Sequence, residues 1–278
     1  MQIKEINQLK NEIENILNDN KAIEVKSINL KNKTSIADFM IVASGNSSRH
    51  IQALSEILLD QLEKKGINTT NWSFFPNGID DEFLNFPSPI KKLSKSVKTI
   101  LYAGNIGSGQ GLELVIPSIA KHLGPSYCFV IIGDGGTFSL LKKAIQLENI
   151  SNVELLLPVS RSELIKYYMA ADIMFLHLND VPAFRRVLPS KIFEYTALGK
   201  PIVAGLSGYS SNFIKEHLPY ACVFESGDAE GAYLSILKAS NITVPMGVVD
   251  QFIQNYSRES IMDKMAEHLL NVIKCKNQ

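Results

Sequence analysis

Two glycine-rich segments of the chain have a composition that can bind phosphate. The first covers residues 104–111 and the second covers residues 133–136. Glycines let the backbone approach a phosphate and leave its N–H groups free of neighbouring side chains. From spacing alone, the first segment is equally well explained as a flexible turn. The second has the same chemistry, and a plain strand-to-helix turn is the favoured interpretation there.

A third segment adds charged residues to the start of a short helix. The pattern predicts a helix over residues 191–198, with Ser190 as its N-cap and Gly199 at its end. Its free N–H groups and positive end would face a ligand, and Lys191 would add a charge toward a diphosphate. Glu194 lies one turn into the helix, where a carboxylate can accept both hydroxyls of a ribose. The alternative is that Glu194 is an ordinary solvated helix residue.

The elements that must position these segments alternate between strand and helix from Thr99 onward. Such alternation predicts an α/β fold with a doubly wound parallel sheet, in which ligands bind beyond the carboxyl ends of the strands. The predicted strands cover residues 100–103, 129–132, 153–156, 173–178 and 202–204, and helices are predicted from Leu112, Phe138, Ser162 and Lys191.

The N-terminal part of the chain predicts a small α+β segment in the order α-β-β-α. Apolar residues at helical spacing indicate a helix that ends near Asn20, and a second helix begins at Ser47 or Ser48 and ends at Gly66. Strands are predicted over 23–30 and 39–43. Turn and proline residues follow, so we place the domain boundary there, with domains 1–66 and 67–278.

The bulk composition excludes several classes of protein. Lys plus Arg equals Asp plus Glu at 28 each, so no global positive field attracts nucleic acid or anionic lipid. The 3 cysteines form no CxxC pair, which argues against disulfides and a zinc site, and we predict no metal site. No apolar run is long enough to cross a bilayer, and the N-terminus lacks a signal-peptide core. We expect a cytoplasmic protein, either free or peripheral at the inner membrane face.

Several segments together resemble the C-terminal domain of GT-B glycosyltransferases of family 4, in its surface-polysaccharide branch. The matching segments, in chain order, are 75–80, which resembles the linker motif of that family, 102–111, 131–136, 158–172, 189–201 and 256–258. The resemblance implies a Rossmann-like nucleotide-sugar-binding domain. It also implies a hexosyl transfer reaction in polysaccharide or glycan biosynthesis, with a nucleotide-diphosphate sugar as donor substrate, no cofactor, and a lipid-linked or glycan acceptor.

The resemblance also implies roles for individual residues. Glu194 would bind the donor ribose, and Ser190, Lys191 and Gly107 would bind the diphosphate. The other expected donor-binding residues are Pro158, Val159 and Ser160 near the base, together with Gly104, Asn105, Gln110 and Arg186. No catalytic residue is assigned.

Three of these donor positions depart from the family pattern. Arg186 stands where the family often has a second glutamate, Gln110 where it often has lysine, and Asn105 where arginine is common. Arg185, Arg186 and Lys191 could supply the missing positive charge near the phosphates.

A second motif lies in the first part of the chain, at residues 34–45 followed by 47–50. It resembles the strongest motif of a different family, the bacterial ribosomal silencing factor (RsfS or Iojap-like). The resemblance implies binding to the large ribosomal subunit and inhibition of translation without catalysis. Asp38, Arg49 and His50 are the contact candidates, although a turn cap and an exposed first helical turn explain them equally.

Both resemblances are partial, which leaves three hypotheses open. No acceptor domain of the GT-B fold is recognisable, and the strands that should complete the RsfS-like sheet are missing, so we expect weak or no transfer by this polypeptide alone. The first hypothesis is the nucleotide-sugar-binding part of a glycosyltransferase. The second is a ribosome-binding protein acting through residues 1–66. The third is a non-functional, truncated or engineered fusion.

Overall fold

In a computed structural model, the chain forms two compact units. The structure describes residues 3–31, 33, 38–46, 48–67, 75–76, 78–84 and 97–276. Backbone contacts group Met1–Pro76 with Met262–Gln278 in one unit and Asn77–Ile261 in the other. The boundary expected between residues 66 and 67 stays a prediction. The predictions made for residues 34–37, Ser47, Asn77 and 85–96 lie outside the described residues.

The smaller unit contains the predicted α-β-β-α order. Its elements are helix α1 (Ile3–Asp19), strands β1 (Ile23–Asn29) and β2 (Phe39–Ser44), and helix α2 (Ser48–Lys64). The strands are antiparallel, with a register shift between Ile23 and Lys26 where Glu24 has a positive φ of 50°. Helix α1 packs on α2 and on both strands, and Ile16, Leu17, Leu54 and Leu62 are buried. The amphipathic spacing of both helices explains this packing.

The larger unit is built on one sheet of six parallel strands, which confirms the predicted doubly wound fold. Its spatial order is β5-β4-β3-β6-β7-β8. The strands are β3 (Lys98–Ala103), β4 (Tyr127–Ile132), β5 (Val153–Leu156), β6 (Ile173–His177), β7 (Ile202–Gly205) and β8 (Cys222–Phe224). The helices are α3 (Leu112–Leu123), α4 (Phe138–Leu147), α5 (Arg161–Ala170), α6 (Lys191–Ala197), α7 (Tyr209–His217), α8 (Ala229–Ala239) and α9 (Met246–Tyr256).

Alternate residues of each central strand enter two separate cores, one on each face of the sheet. In β3, Leu101 and Ala103 join the core formed with α5, α6, α7 and α9. Ile100 and Tyr102 join the core formed with α3, α4 and α8. This explains why the strands are continuously apolar, since parallel strands covered on both faces have no solvated side. Each fully buried aliphatic side chain contributes about 1.5–3 kcal/mol.

The sequence prediction ended at residue 204 and did not include β8 or helices α7 to α9. Strand β8 has only 3 residues, too few for a recognisable pattern. The last helix, α10 (Arg258–Lys276), begins at the end of the matching segment 256–258. Across the described part of the chain, no helix is both long and apolar enough to cross a membrane.

The linker motif and the start of α10 are joined although they lie far apart in sequence. Ile79 donates its N–H to the carbonyl of Tyr256 (2.7 Å), and Arg258 donates its N–H to the carbonyl of Ile79 (3.1 Å). The Asp80 carboxylate accepts hydrogen bonds from the guanidinium groups of Arg161 and Arg258. Residues 79–80 of the linker motif therefore contact residues 256–258, the last segment of the family resemblance.

A buried lysine connects the start of β7 to the end of α5. Lys200 is 9% exposed, and its ammonium donates to the carbonyls of Met169 (2.7 Å) and Ala171 (2.5 Å). Carbonyl groups at the end of a helix have no partner within the helix, and a cation there also interacts favourably with the helix dipole.

We predict that Lys200→Met lowers the free energy of unfolding by about 1–3 kcal/mol, because it leaves two buried carbonyls without their partner. Urea denaturation of the full chain measures the change. The matched control is Lys142→Met on the exposed surface of α4, which should stay within about 0.5 kcal/mol of wild type. Equal stability of the two variants would contradict the role given to Lys200.

Candidate functional site

The strand order of the sheet reverses between β3 and β6. Strand β3 is followed in the chain by β4 on one side, and β6 is followed by β7 on the other. The crevice beyond the carboxyl ends at such a point is where open α/β sheets bind ligands. Residues 104–111, called the glycine loop below, follow β3, and the segment containing Lys191 follows β6. The topology therefore brings two of the predicted donor segments to one place.

The glycine turn after β4 supports the glycine loop from behind. Ile106 donates its N–H to the carbonyl of Asp134 (2.8 Å), and the carbonyl of Ile106 accepts from the N–H of Thr137 (3.0 Å). A Cβ atom at Gly133 would lie 1.8 Å from the carbonyl oxygen of Gly104. Only glycine permits this approach. Gly133 is therefore required by the packing of the two loops, whether or not a ligand binds.

Asn105 and Gln110, two of the departures from the family pattern, bond to each other across the glycine loop. The Asn105 amide donates to Gln110 Oε1 (2.8 Å), which also accepts from the N–H of Gly107 (3.3 Å). A Cβ atom at Gly107 would lie 2.7 Å from Asn105 Nδ2. These side chains thus stabilise the conformation of the loop over Gly107.

His177, at the end of β6, and Asn179, just after it, bond to three consecutive carbonyls of the glycine loop. Asn179 Nδ2 donates to Ser108 O (2.5 Å), and the N–H of Asn179 donates to Gly109 O (2.8 Å). His177 Nδ1 bonds to Gln110 O (2.6 Å). The other ring nitrogen, Nε2, accepts from the N–H of Gly227 (3.0 Å). His177 therefore connects the loops that follow β3 and β8.

Ser190 occupies the N-cap position of α6, but its hydroxyl does not cap the helix. Its φ of −57° and ψ of −27° are helical, and its side chain makes no capping hydrogen bond. A capping side chain requires an extended backbone, as Ser160 has at the start of α5. The predicted N-cap position of Ser190 is confirmed, and the residue is exposed at the helix start.

Glu194 is part of a polar cluster and is not an ordinary solvated residue. Its Oε2 accepts from the Tyr168 hydroxyl (2.9 Å) and from Lys191 Nζ (2.9 Å), and the Glu194 side chain is only 17% exposed. Lys191 Nζ also donates to the Tyr168 hydroxyl (3.2 Å). Burial, together with the nearby Tyr195 and Glu194, raises the pKa of Tyr168, so its hydroxyl stays protonated and remains a donor.

Lys191 lies beside the glycine loop, whereas Arg185 is paired elsewhere. A Cβ atom at Gly104 would lie 3.7 Å from Lys191 Cε. Arg185 donates to both carboxylate oxygens of Asp180, at 2.7 and 2.8 Å, and this pairing lowers the pKa of Asp180. Arg186 belongs to a 3-10 helix at Pro182–Arg186, and its side chain lies outside the described part of the structure.

The expected base-binding residues lie beyond β5, at the start of α5. Ser160 caps α5 by accepting from the N–H of Glu163 (3.3 Å), Val159 packs against the sheet core, and Pro158 is exposed. Within the described residues, no group of three or more His, Cys, Asp or Glu side chains is arranged to hold a metal ion.

In the smaller unit, His50 has side-chain partners within the unit, whereas the bond described for Asp38 uses its backbone carbonyl. His50 accepts the N–H of Asn46 at Nδ1 (3.0 Å), and its Nε2 bonds to the carbonyl of Asn20 (3.1 Å). The carbonyl of Asp38 accepts from the N–H of Leu30 (2.9 Å). The side chain of Arg49 lies outside the described atoms. The His50 ring thus links the start of α2 to the end of α1.

Three residues of the site were not singled out from sequence: Tyr168, His177 and Asn179. A lone histidine that ends an otherwise apolar strand was the available signal for His177. Tyr168 carried no such signal, because an aromatic residue inside a helix is usually core. Only the approach of α5 to α6 gives its hydroxyl a partner.

Comparison with known proteins agrees with this geometry. The family described as Glycosyl transferases group 1 matches residues 87–243, more than half of the chain. The chain belongs to that family. The predicted family resemblance is therefore confirmed.

One relative in the glycosyl transferases group 1 family is the putative colanic acid biosynthesis glycosyl transferase WcaI of Escherichia coli. It is 27% identical over 169 residues, which cover 58% of this chain and 41% of WcaI. This chain therefore spans about two fifths of the length of that relative.

Solved glycosyltransferases share the fold at low sequence identity. A glycosyltransferase from Rickettsia africae aligns with a TM-score of 0.59 and 17% identity, over 78% of this chain and 62% of its own. Anabaena HepE in complex with UDP-glucose aligns with a TM-score of 0.60 and 17% identity, over 79% and 62%. These similarities support the GT-B assignment of the sheet.

The N-terminal segment has a separate similarity, which confirms the two-part prediction. The family described as Ribosomal silencing factor during starvation matches residues 3–73. The ribosomal silencing factor RsfS of Zymomonas mobilis is 45% identical over 47 residues, covering 17% of this chain and 35% of that protein.

We predict that His177 makes the stability of this glycosyltransferase-family chain sensitive to acid. Burial lowers the pKa of His177, against the raising effects of its bond to Gln110 O and of nearby Glu113. A folded-state pKa below the unfolded value of about 6.5 means that the unfolded state binds more protons, so stability falls as pH decreases below that value. Urea denaturation between pH 7.5 and 5.5 measures this dependence.

The matched variant is His177→Phe, which keeps a ring beside Phe224 but cannot titrate. Its stability should fall less steeply than that of wild type over the same pH range. An equal slope in both proteins would contradict the assignment.

Proposed function

We propose that the unit Asn77–Ile261 binds a nucleotide-diphosphate sugar as the donor of a glycosyl transfer reaction. The observation that carries this proposal is the convergence of the glycine loop, Lys191 and Glu194 at the β3–β6 crevice. Membership of the family supports it, as does the bound UDP-glucose of Anabaena HepE. The name of WcaI, a putative colanic acid biosynthesis glycosyl transferase, supports a polysaccharide or glycan product. A lipid-linked or glycan acceptor is part of the proposal.

Glu194 suits the binding of the donor ribose. Both hydrogen bonds to this carboxylate use Oε2, so Oε1 has no partner among the described residues. An ionised carboxylate accepts hydrogen bonds at both oxygens, and a ribose offers two adjacent hydroxyl donors. The Tyr168 hydroxyl restrains the carboxylate, so less conformational freedom is lost when a ribose binds.

Lys191 suits the binding of the diphosphate, together with Ser190 and the glycine loop. The Lys191 ammonium bonds to Glu194, and its side chain lies beside Gly104 at the start of the glycine loop. A diphosphate carries more negative charge than one carboxylate, so it competes well for the ammonium. If Lys191 moves toward the phosphates, the Glu194 carboxylate becomes available to bind the ribose.

We predict that titration of the folded chain with UDP, GDP and TDP gives saturable binding of one of them. Glu194→Gln should weaken that nucleotide about tenfold or more, because a hydrogen bond to a charged group contributes about 1.5–3 kcal/mol. If that nucleotide is UDP or GDP, the wild type should also favour it over its 2′-deoxy form. That preference should be lost in Glu194→Gln and reduced in Tyr168→Phe. Isothermal titration calorimetry measures each affinity.

Two variants serve as matched controls for this titration. Glu154→Gln removes an exposed carboxylate from β5, and Tyr220→Phe removes a buried hydroxyl that makes no bond to Glu194. Both should bind like wild type. Absence of binding by all three nucleotides, in protein with a cooperative unfolding transition, overturns the proposal.

A second proposed function belongs to the RsfS-like segment. We infer that residues 3–73 contact the large ribosomal subunit, supported by the family match and by the 45% identity to the Zymomonas protein. Asp38 and Arg49 are the residues we assign to this contact. His50 is less suited, because both its ring nitrogens already bond within the unit.

We predict that the chain co-sediments with purified large ribosomal subunits and that Asp38→Asn reduces the bound fraction several-fold. Asp60→Asn is the matched control, because Asp60 is an exposed carboxylate of α2 paired only with Lys64 in the described structure. Equal sedimentation of the two variants would remove Asp38 from the contact. Absence of wild-type protein from the ribosomal pellet would remove the function.

A further inference from the structure

Hydrogen bonds from His177 and Asn179 hold the peptide groups of the glycine loop in one orientation. The carbonyls of Ser108, Gly109 and Gln110 all accept hydrogen bonds from Asn179 or His177. The carbonyl of Gly107 accepts from the N–H groups of Gln110 and Gly111. In a trans peptide the N–H points opposite to the carbonyl of the same unit. Fixing the carbonyls of Gly107 and Ser108 therefore also fixes the N–H groups of Ser108 and Gly109, each of which points away from the partner of its own carbonyl.

Neither of those two successive N–H groups donates a hydrogen bond to any residue that the structure describes, so both remain for a ligand. In the glycine loop the same holds for the N–H of Asn105. Successive N–H groups on one side of a turn form an anion-binding concavity. The close approach of Asn179 depends on Gly111, where φ is +57° and an added Cβ would lie 2.1 Å from Asn179 Oδ1.

His177 can make its two hydrogen bonds in only one protonation state. The N–H of Gly227 donates to Nε2, so Nε2 carries no proton, and the single ring proton is on Nδ1, where it donates to Gln110 O. The ring is fully buried and stacks against Phe224, with centroids 6.0 Å apart and an interplanar angle of 23°. Burial also lowers the pKa of His177, which favours the neutral form that this arrangement requires.

We propose that His177, together with Asn179, is a positioning residue for the donor diphosphate. It touches no ligand and acts by holding the glycine loop with the N–H groups of Ser108 and Gly109 directed at the phosphates. This inference rests on the proposed nucleotide-sugar-binding function.

The experiment compares the nucleoside diphosphate that binds best among UDP, GDP and TDP with its own nucleoside, by calorimetry at pH 7.5. In His177→Phe, which keeps the ring and loses both hydrogen bonds, the diphosphate should bind about five- to tenfold more weakly, and the nucleoside should bind as to wild type. His177→Asn should restore most of the affinity, because its amide can donate where Nδ1 does. His122→Phe, on the exposed side of α3, is the matched control and should change neither affinity.

Hydrogen–deuterium exchange of the full chain without nucleotide provides a second measurement. Peptides covering the glycine loop should exchange faster in His177→Phe and at the wild-type rate in His122→Phe. Unchanged exchange in His177→Phe overturns the loop-holding role, whatever the affinities are.

The outcomes separate this inference from the function on which it rests. If wild type binds the diphosphate and His177→Phe binds it equally well, the positioning role is overturned and the donor site stands. If diphosphate and nucleoside weaken to the same extent, His177 acts on overall stability and the positioning role is also overturned. If wild type binds no nucleotide, the proposed function fails and the positioning role fails with it.

Discussion

The adjacency of β3 and β6 is the constraint on which the candidate site depends. These parallel strands are neighbours in the sheet, yet the chain leaves β3 toward β4 and leaves β6 toward β7 on the opposite side. The connecting segments therefore diverge and open a crevice at their carboxyl ends. The glycine loop, the His177–Asn179 segment and the start of α6 all border that crevice because of this one topological feature.

In the proposed donor site, backbone N–H groups and a neutralised charge pair would together bind the diphosphate. The whole chain carries no net charge, and Lys191 is paired with Glu194 at 2.9 Å. A diphosphate bound there would contact oriented N–H groups and the Lys191 ammonium, which must exchange Glu194 for the phosphates. This arrangement favours a ligand that has both an anionic part and a hydroxyl-bearing part, since each part satisfies one member of the pair.

Sequence reasoning located most of the elements of the larger unit because its strands are buried on both faces. Residues 153–156 were predicted as a strand with the bounds that the structure has, and α3, α4 and α6 begin at the predicted residues. Ser190 was predicted correctly as the N-cap of α6, but residue type does not reveal that its backbone is helical and that its hydroxyl makes no capping hydrogen bond. Strand β8 was missed because 3 residues, held by pairing with β7, have no periodicity of their own.

The sequence by itself determined the fold class, the two-part organisation and the segments that carry the donor motifs, because periodicity, turn residues and motif spacing are local properties of the chain. Tertiary structure alone decided which polar groups become partners. Tyr168 bonds Glu194, His177 bonds Gln110, and Asp80 bonds Arg258 across distances in sequence that no local pattern spans. Buried polar groups must find hydrogen-bond partners, and the packing of the sheet and its helices determines which ones lie within reach.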